Sequence, residues 1–401
     1  MPYANSITLG KGKDGIVYKA KGYQHILLLA PHGSGKGVAF VLPTLLTLEE
    51  SCIVHDIKLE NYKLTSGYRE SIGHKIFVFS PLSLEYKTHR YNPLDFISED
   101  IKKRINDLQK IADLLIDASE TSKILFVGLA LYLVATDAKK TIGAIAKMIN
   151  GNLEQELSDG LKKIDVSNNK YCAEILTGFL SQSQETKKDA IEHLRASLYL
   201  WTNPFVDYAT SESDFDIASL KNSKITIYVG LSPTYIDRLK PLMRLFYNHA
   251  FERLVKSAES LGFLEENGGV TIILDEFCTL GKLNKYAFAY FRGYKVRLLT
   301  ISSDIQQIEE LYGKMGSSSI IADCHFKVFF ASNDPKTAEY ISSLCIDKNE
   351  GKELLSWQQI MSLSQDSQII LLDKEQPIVS KKIKYYDDEE LVERIIDPAK
   401  L

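Results

Sequence analysis

Apolar residues along the chain fall into short, nearly continuous runs set between stretches of helical spacing. The runs His25–Ala30, Cys52–Ile57, Lys75–Phe79, Lys224–Gly230, Val270–Leu274, Val296–Ile301, Phe326–Ala331 and Gln368–Leu372 are rich in β-branched and aliphatic residues. They read as strands buried on both faces. Strands of this kind alternating with helices predict an α/β domain around a mainly parallel sheet. Ile378–Ile383 is expected to pair antiparallel with the last run as an edge strand. No strand is expected between Phe79 and Lys224. There Ile105, Leu108, Ile111, Ala112, Leu115 and Ile116 recur at helical period, as do Ile191, Leu194, Leu198 and Trp201. The expected organisation is therefore an α/β domain, residues 1–100 and 201–401, interrupted by an all-α domain, residues 101–200.

Length and charge agree with this picture. A chain of 401 residues exceeds what one core normally holds, so two domains or a large insertion are expected. With 48 Lys and Arg against 52 Asp and Glu, and a net charge of −4, a surface coated in basic charge is excluded, while a local basic groove stays open. Cys52, Cys172, Cys278, Cys324 and Cys345 form no Cys-x-x-Cys pair, which points to a reducing compartment and to buried small residues. Met1–Asn5 lacks the basic and apolar pattern of a secretory signal. The longest uncharged run, Ile124–Thr136, falls short of the roughly 18 residues that suggest a membrane span, and reads as a buried helix.

Candidate chemistry begins after the first buried run. Ile26–Leu29 leads into Ala30-Pro31-His32-Gly33-Ser34-Gly35-Lys36-Gly37, and Val38–Val41 then opens an apolar helix. Strand, glycine-rich loop, lysine and helix together are the context of a phosphate-binding loop. Its glycines let backbone N–H groups converge on an anion and the helix dipole adds to the attraction. Pro31, His32, Gly33, Ser34, Gly35, Lys36, Gly37 and Val38 are the expected binding residues, with Lys36 on the β- and γ-phosphates. Ala30 stands where the motif has its first glycine and Gly37 where it has a hydroxyl, so a plain strand-to-helix turn is the competing reading.

A second buried run, Val270–Leu274, ends in Asp275 and Glu276. Side chains at the carboxyl end of a parallel strand meet ligands held by a neighbouring loop. Asp275 is expected to position Mg²⁺ through water, and Glu276 to orient and deprotonate an attacking water. Helix capping by Asp275 is the alternative.

The stretches Ala30–Gly37, Asp56–Tyr62, Arg90–Leu94, Ser213–Asp216, Pro241–Phe246, Leu274–Leu283, Arg292–Tyr294, Gln307–Gly313 and Asn333–Tyr340 resemble, in order, the coupling-protein ATPases of type IV secretion and bacterial conjugation. The resemblance implies a RecA-like P-loop NTPase domain with a mainly parallel sheet and an inserted all-α domain. It implies ATP and Mg²⁺ as cofactors, assembly as a homo-hexamer, and partners among secretion-system components and cargo or adaptor proteins through the all-α domain. Single-stranded DNA is a further partner it suggests. Arg292 matches the position from which an arginine reaches a neighbouring subunit's nucleotide, with a surface cation as the alternative. Family members usually begin with transmembrane helices, so the chain is expected to be the cytoplasmic part of a protein anchored at the bacterial inner membrane. Ser303 stands where the family tends to carry a phosphate-sensing Gln, with Asp304 beside it. Lys58 and Glu60 fall in a loop beyond a strand end, where solvated charge is the usual outcome.

Two functions compete at this point. One is an ATP-hydrolysing motor at a secretion channel; the other is a docking receptor that binds nucleotide and hydrolyses it poorly. A small-molecule kinase would need a substrate lid, for which the inserted helices look too long and too apolar.

Overall fold

The computed structural model of the chain describes residues 6–12, 14–82, 88–117, 119–260, 268–347, 350–372 and 375–401. Met1–Asn5, read above for a secretory signal, lies outside them. The strands are β1 (Ile7–Lys11), β2 (Val17–Ala20), β3 (Ile26–Leu29), β4 (Ser51–Ile57), β5 (Lys75–Phe79), β6 (Ile225–Leu231), β7 (Val270–Leu274), β8 (Val296–Ser302), β9 (Phe326–Phe329), β10 (Ser367–Leu372) and β11 (Ile378–Lys381). They form one sheet in the order β2-β1-β11-β10-β9-β3-β8-β7-β4-β6-β5. Its centre, from β9 to β6, is parallel. β3, β7 and β8 are buried along their whole length, which is why they read as nearly continuous apolar runs, although β8 also buries Arg297 and Thr300.

An antiparallel arm, β10-β11-β1-β2, extends the parallel core. Two expectations change here. β11 pairs antiparallel with β10 as expected, but it is interior, because β1 covers its free edge. β1 and β2 escaped the apolar pattern because they are short and because the register shifts between Thr8 and Gly10, which breaks strict alternation.

The chain divides into two compact units. Unit 1 comprises Met1–Val78, Asp216–Ile236 and Ala250–Leu401; unit 2 comprises Phe79–Phe215 and Asp237–His249. The second unit is thus wider than residues 101–200. Among its described residues, the extra N-terminal stretch before Ile101 carries the short 3-10 turn Pro93–Phe96 as its helical element, which has no helical period to read.

Helices such as Ile101–Leu115, Glu120–Ala135 and Gln184–Ser197 build unit 2 around Leu108, Leu125, Leu129, Ile145, Leu157, Leu176 and Leu194, all fully buried. Within this unit two of the family-like stretches meet. Asp214 accepts from Arg90 N at 2.7 Å and from Arg90 Nη2 at 2.8 Å, and Asn92 N donates to Ser213 Oγ at 3.0 Å. Tyr91 stacks on Phe215 and Phe96, and its hydroxyl bonds His249 Nδ1 at 2.7 Å. Arg90–Leu94 and Ser213–Phe215 are therefore a structural clasp.

In unit 1, Asp334 caps the helix Pro335–Leu344 and Asp388 the helix Glu389–Glu393. All five cysteines are free; Cys278 is half-buried, unlike the other four.

Burial in unit 1 gives a pH dependence whose sign can be worked out. It holds His25 down to about 4 and His55 and His74 to about 3. His25 Nδ1 accepts from Leu298 N at 2.9 Å, a role only the unprotonated nitrogen fills. Burial pushes the Asp56 carboxyl the other way, to about 7, and raises Asp275 as well. Depressed histidines contribute stability that is present above the ordinary histidine value and lost as pH falls toward the folded one. Raised carboxyls act oppositely, taking up protons first in the folded state. Three histidines outweigh two carboxyls, so the urea midpoint is expected to fall as pH drops from about 6.5 to about 4. A midpoint that rises over that interval would contradict the assignment.

Candidate functional site

β3 delivers the chain into Ala30–Gly37 at its carboxyl end. Gly33 and Gly35 adopt φ of +75° and +83°, which L side chains rarely reach, so these glycines are what let the loop fold back on itself. Gly37–Val41 is a wide π-type turn that runs into the helix Leu42–Thr47, a local irregularity common at functional sites. The Ser34 hydroxyl is buried and makes no hydrogen bond among the described residues.

Two strands away, β7 ends at Leu274 and the chain turns sharply. Glu276 sits in the left-handed region, φ +53°, and its carbonyl accepts from Thr279 N at 2.8 Å and Thr279 Oγ1 at 2.7 Å. Phe277, fully buried, anchors the turn by stacking on Tyr312 and meeting Phe288 edge-on. A strained residue held by its surroundings in this way belongs to a site whose geometry matters.

The loop and this turn converge. Lys36 Nζ donates to Glu276 Oε1 and stands 3.3 Å from Asp275 Oδ1. His32 Nδ1 lies 3.2 Å from Glu276 Oε1, and Ser303 Oγ lies 3.1 Å from His32 Nε2 and 3.5 Å from Glu276 Oε2. Burial is the main force raising the Asp275 carboxyl; Glu276 adds to it and Lys36 opposes it. Asp275 Oδ1 is buried with no well-directed hydrogen bond among the described residues, so the pairing with Lys36 is electrostatic. Asp275 caps no helix, because the turn that follows has Glu276 at its start without a side-chain cap.

Asp56, at the end of β4, accepts from Tyr62 N at 2.7 Å, Asn61 N at 3.1 Å and Asn61 Nδ2 at 3.0 Å, tying the helix Glu60–Ser71 to the strand. Lys58 and Glu60 are exposed. Asp304 caps the helix Ile305–Asp323 through Gln307 N at 2.9 Å, which leaves Ser303 as the residue facing the acidic pair.

Arg292 is not part of this cluster. It lies exposed in the turn Phe291–Tyr294 before β8, with Nη1 3.2 Å from His325 Nε2. β3 and β8 are parallel, with Ile26 opposite Leu299, so Arg292 precedes the strands while the loop follows them. It occupies the opposite end of the sheet.

Sequence reasoning missed the arm's contribution. Pro31, His32, Gly33, Ser34, Gly35 and Val38 line a cleft of about 260 Å³ whose far wall includes Asp366, Lys382, Lys384 and Tyr386. Lys382 Nζ donates to the Ser34 carbonyl at 3.0 Å across 348 positions of sequence. No local pattern announces such a contact.

Residues 3–348 and 347–401 match the profile of the family described as Type IV secretory system Conjugative DNA transfer. Protein VirD4 of Rhizobium radiobacter is 31% identical over 419 residues, covering 93% of this chain and 59% of that protein. Conjugal transfer protein TraG of Escherichia coli is 27% identical over 379 residues, covering 86% and 59%. The chain thus spans about six-tenths of the length of these relatives. Among solved structures, the bacterial conjugative coupling protein TrwBdeltaN70 with sulphate superposes with a TM-score of 0.69 at 15% identity over 94% of each chain. TrwB with a non-hydrolysable ATP analogue gives 0.68 at 14% identity over 94% and 95%. These likenesses establish the fold: α/β and RecA-like, with a mainly parallel sheet and an inserted all-α domain. Among the described residues no helix is long and apolar enough to cross a membrane.

Proposed function

The chain belongs to the type IV secretory system conjugative DNA transfer family, and from that premise we propose that it is the nucleotide-driven part of a coupling protein, binding ATP and hydrolysing it to move cargo into a secretion channel. The observation that carries the proposal is the convergence of Lys36, Asp275 and Glu276 from two separate strand ends. It supports hydrolysis over a docking receptor that merely holds nucleotide. The structure of TrwB with ADP and Mg²⁺ supports ATP and Mg²⁺ as the ligands.

The Lys36 ammonium pairs with both members of the acidic pair. Arriving phosphates compete for that ammonium, while the loop's N–H groups and the buried Ser34 hydroxyl supply donors to the same anion. Lys36 turning toward the β- and γ-phosphates frees the two carboxylates. Asp275 suits Mg²⁺, because its buried, unbonded Oδ1 can take a cation's hydration water, and Mg²⁺ typically combines one or two carboxylates with substrate phosphates. When bound, the ion neutralises charge on the transferring phosphoryl group. Glu276, held rigidly in its turn, accepts the proton of the attacking water. His32 shares the Glu276 Oε1 oxygen with Lys36, and Ser303 meets Oε2 on the other side. Arg292 acts on the nucleotide of a neighbouring subunit in a homo-hexamer.

The helical unit is the proposed platform for cargo, adaptor and secretion-system partners, with single-stranded DNA as a further cargo. The whole works at the cytoplasmic face of the inner membrane.

Titration calorimetry with ATP on the full chain tests the site. Lys36→Ala removes a charge-assisted bond worth about 1.5–3 kcal/mol, so ATP binding is expected to weaken about 10- to 100-fold, with turnover lost. Unchanged affinity and turnover would refute the phosphate-loop assignment.

A further inference from the structure

We propose that Lys221 is a positioning residue for Arg292: its buried ammonium holds the turn Phe291–Tyr294 in the conformation that presents the guanidinium to a neighbouring copy's nucleotide. This rests on the reading of Arg292 given above and adds the device that aims it.

An exposed arginine on a short turn needs its backbone fixed if it is to point anywhere in particular. The turn ends at Lys295, which adopts φ +52° without being glycine. Such a conformation persists only where the surroundings hold it. Lys295 N donates to the Arg292 carbonyl at 3.1 Å, and the Lys295 carbonyl accepts from Val270 N at 3.0 Å, where β7 begins. The course of the chain at Arg292 therefore depends on how the carbonyls of Tyr294 and Lys295 are held.

Lys221 holds both. Its Nζ donates to the Tyr294 carbonyl and, at 3.2 Å, to the Lys295 carbonyl. A cation on the last carbonyls of a helical turn is favourably placed. Lys221 itself closes the 3-10 turn Ile217–Lys221 ahead of β6. In the sheet β6 and β8 are separated by β4 and β7, so this contact joins the leads into two strands that share no ladder. The backbone of Lys221 is fixed as well, because its carbonyl accepts from Gly268 N at 2.8 Å.

An ammonium is an expensive way to fill this space. Lys221 is 1% exposed, and burial lowers its pKa to about 8, with Glu50 opposing and Lys295 adding. The Glu50 carboxylate, 3.6 Å from Arg297 Nη1, is the counter-charge for this buried end of the sheet. An apolar side chain would avoid the desolvation cost. What the ammonium adds is one fixed donor group for two carbonyls of the Arg292 turn. Removing it frees the turn but leaves the β7–β8 ladder, which begins at Val270 opposite Val296, and the Val270 bond to Lys295. The phosphate loop, at the other end of the sheet, is untouched.

Steady-state phosphate release and ATP calorimetry on the full chain test this role. Lys221→Met keeps an unbranched side chain and removes the donors. It is expected to bind ATP within about twofold of the parent and to turn over about 10- to 100-fold more slowly, as for a reacting group displaced by roughly 1 Å. Adding Lys221→Met to Arg292→Ala is expected to slow that variant no further, since both act through one guanidinium. Mixed with Lys36→Ala, whose subunits keep Lys221 and Arg292, Lys221→Met is expected to regain part of its turnover. Parent-like turnover of Lys221→Met, with Arg292→Ala slow, would overturn the positioning role and leave the reading of Arg292 standing. So would losses that multiply in the double variant, or recovery on mixing by Arg292→Ala and not by Lys221→Met. Loss of ATP binding in Lys221→Met would make Lys221 a residue of the general fold and overturn the role too. A loss below about threefold in Arg292→Ala, far short of an arginine finger, would defeat the reading of Arg292 and this inference together.

Discussion

Arg292→Ala is expected to bind ATP almost as tightly as the parent chain and to hydrolyse it about 10³- to 10⁵-fold more slowly, the range an arginine finger supplies. Arg292 precedes β8, whereas the phosphate loop follows β3, and the two strands run parallel in register. Seven residues of strand at about 3.3 Å each place them roughly 20 Å apart. Within one chain the guanidinium cannot reach the phosphates, so any large catalytic effect of its removal must come from a neighbour. Steady-state phosphate release, beside calorimetry for binding, reads the two quantities separately. A loss of turnover below threefold would make Arg292 an ordinary surface cation paired with His325.

Glu276→Gln is expected to lower turnover by about 10²- to 10⁴-fold, the usual worth of a general base, while ATP stays bound. The amide keeps the shape of the carboxylate, and the turn that places it depends on Phe277 and on bonds to the Glu276 carbonyl, none of which the substitution touches. What is lost is the ability to take a proton. Rapid quenching followed by chromatography of the bound nucleotide should find ATP intact on the variant and ADP on the parent. ADP formed by the variant at the parent's rate would assign the water's proton to another group.

The parallel core was legible because strands covered on both faces have few polar positions to interrupt them: β3, β4, β7 and β8 were each placed to within one residue of the observed ends. The antiparallel arm was less so. β11 looked like an edge because nothing in its own residues announces that Ile7–Lys11 lies against it. At the site, Lys36, Asp275 and Glu276 were legible because the loop of Lys36 and the acidic pair each follow a buried strand, so strand direction brings them to one end of the sheet. Their mutual ion pairs follow from that placement. His32 could be read as a loop residue but not as a partner of Glu276, and Ser303 gained its place only when Asp304 proved to be a helix cap. Lys382 was invisible, since its role depends on the arm folding back onto the loop from the far end of the chain. Contacts set by topology rather than by local spacing are the ones a single sequence hides.

The central claim is that ATP is hydrolysed by an assembly in which Arg292 of one subunit completes the Lys36–Glu276 site of the next. Mixing Arg292→Ala with Lys36→Ala tests it most directly, because each variant is inactive for a different reason. In mixed oligomers some intact Lys36 sites face subunits that still carry Arg292. ATP hydrolysis by the mixture is expected to return in part and to rise with protein concentration as the assemblies form. No recovery at any ratio, in samples that sedimentation shows to contain mixed oligomers, would contradict the account.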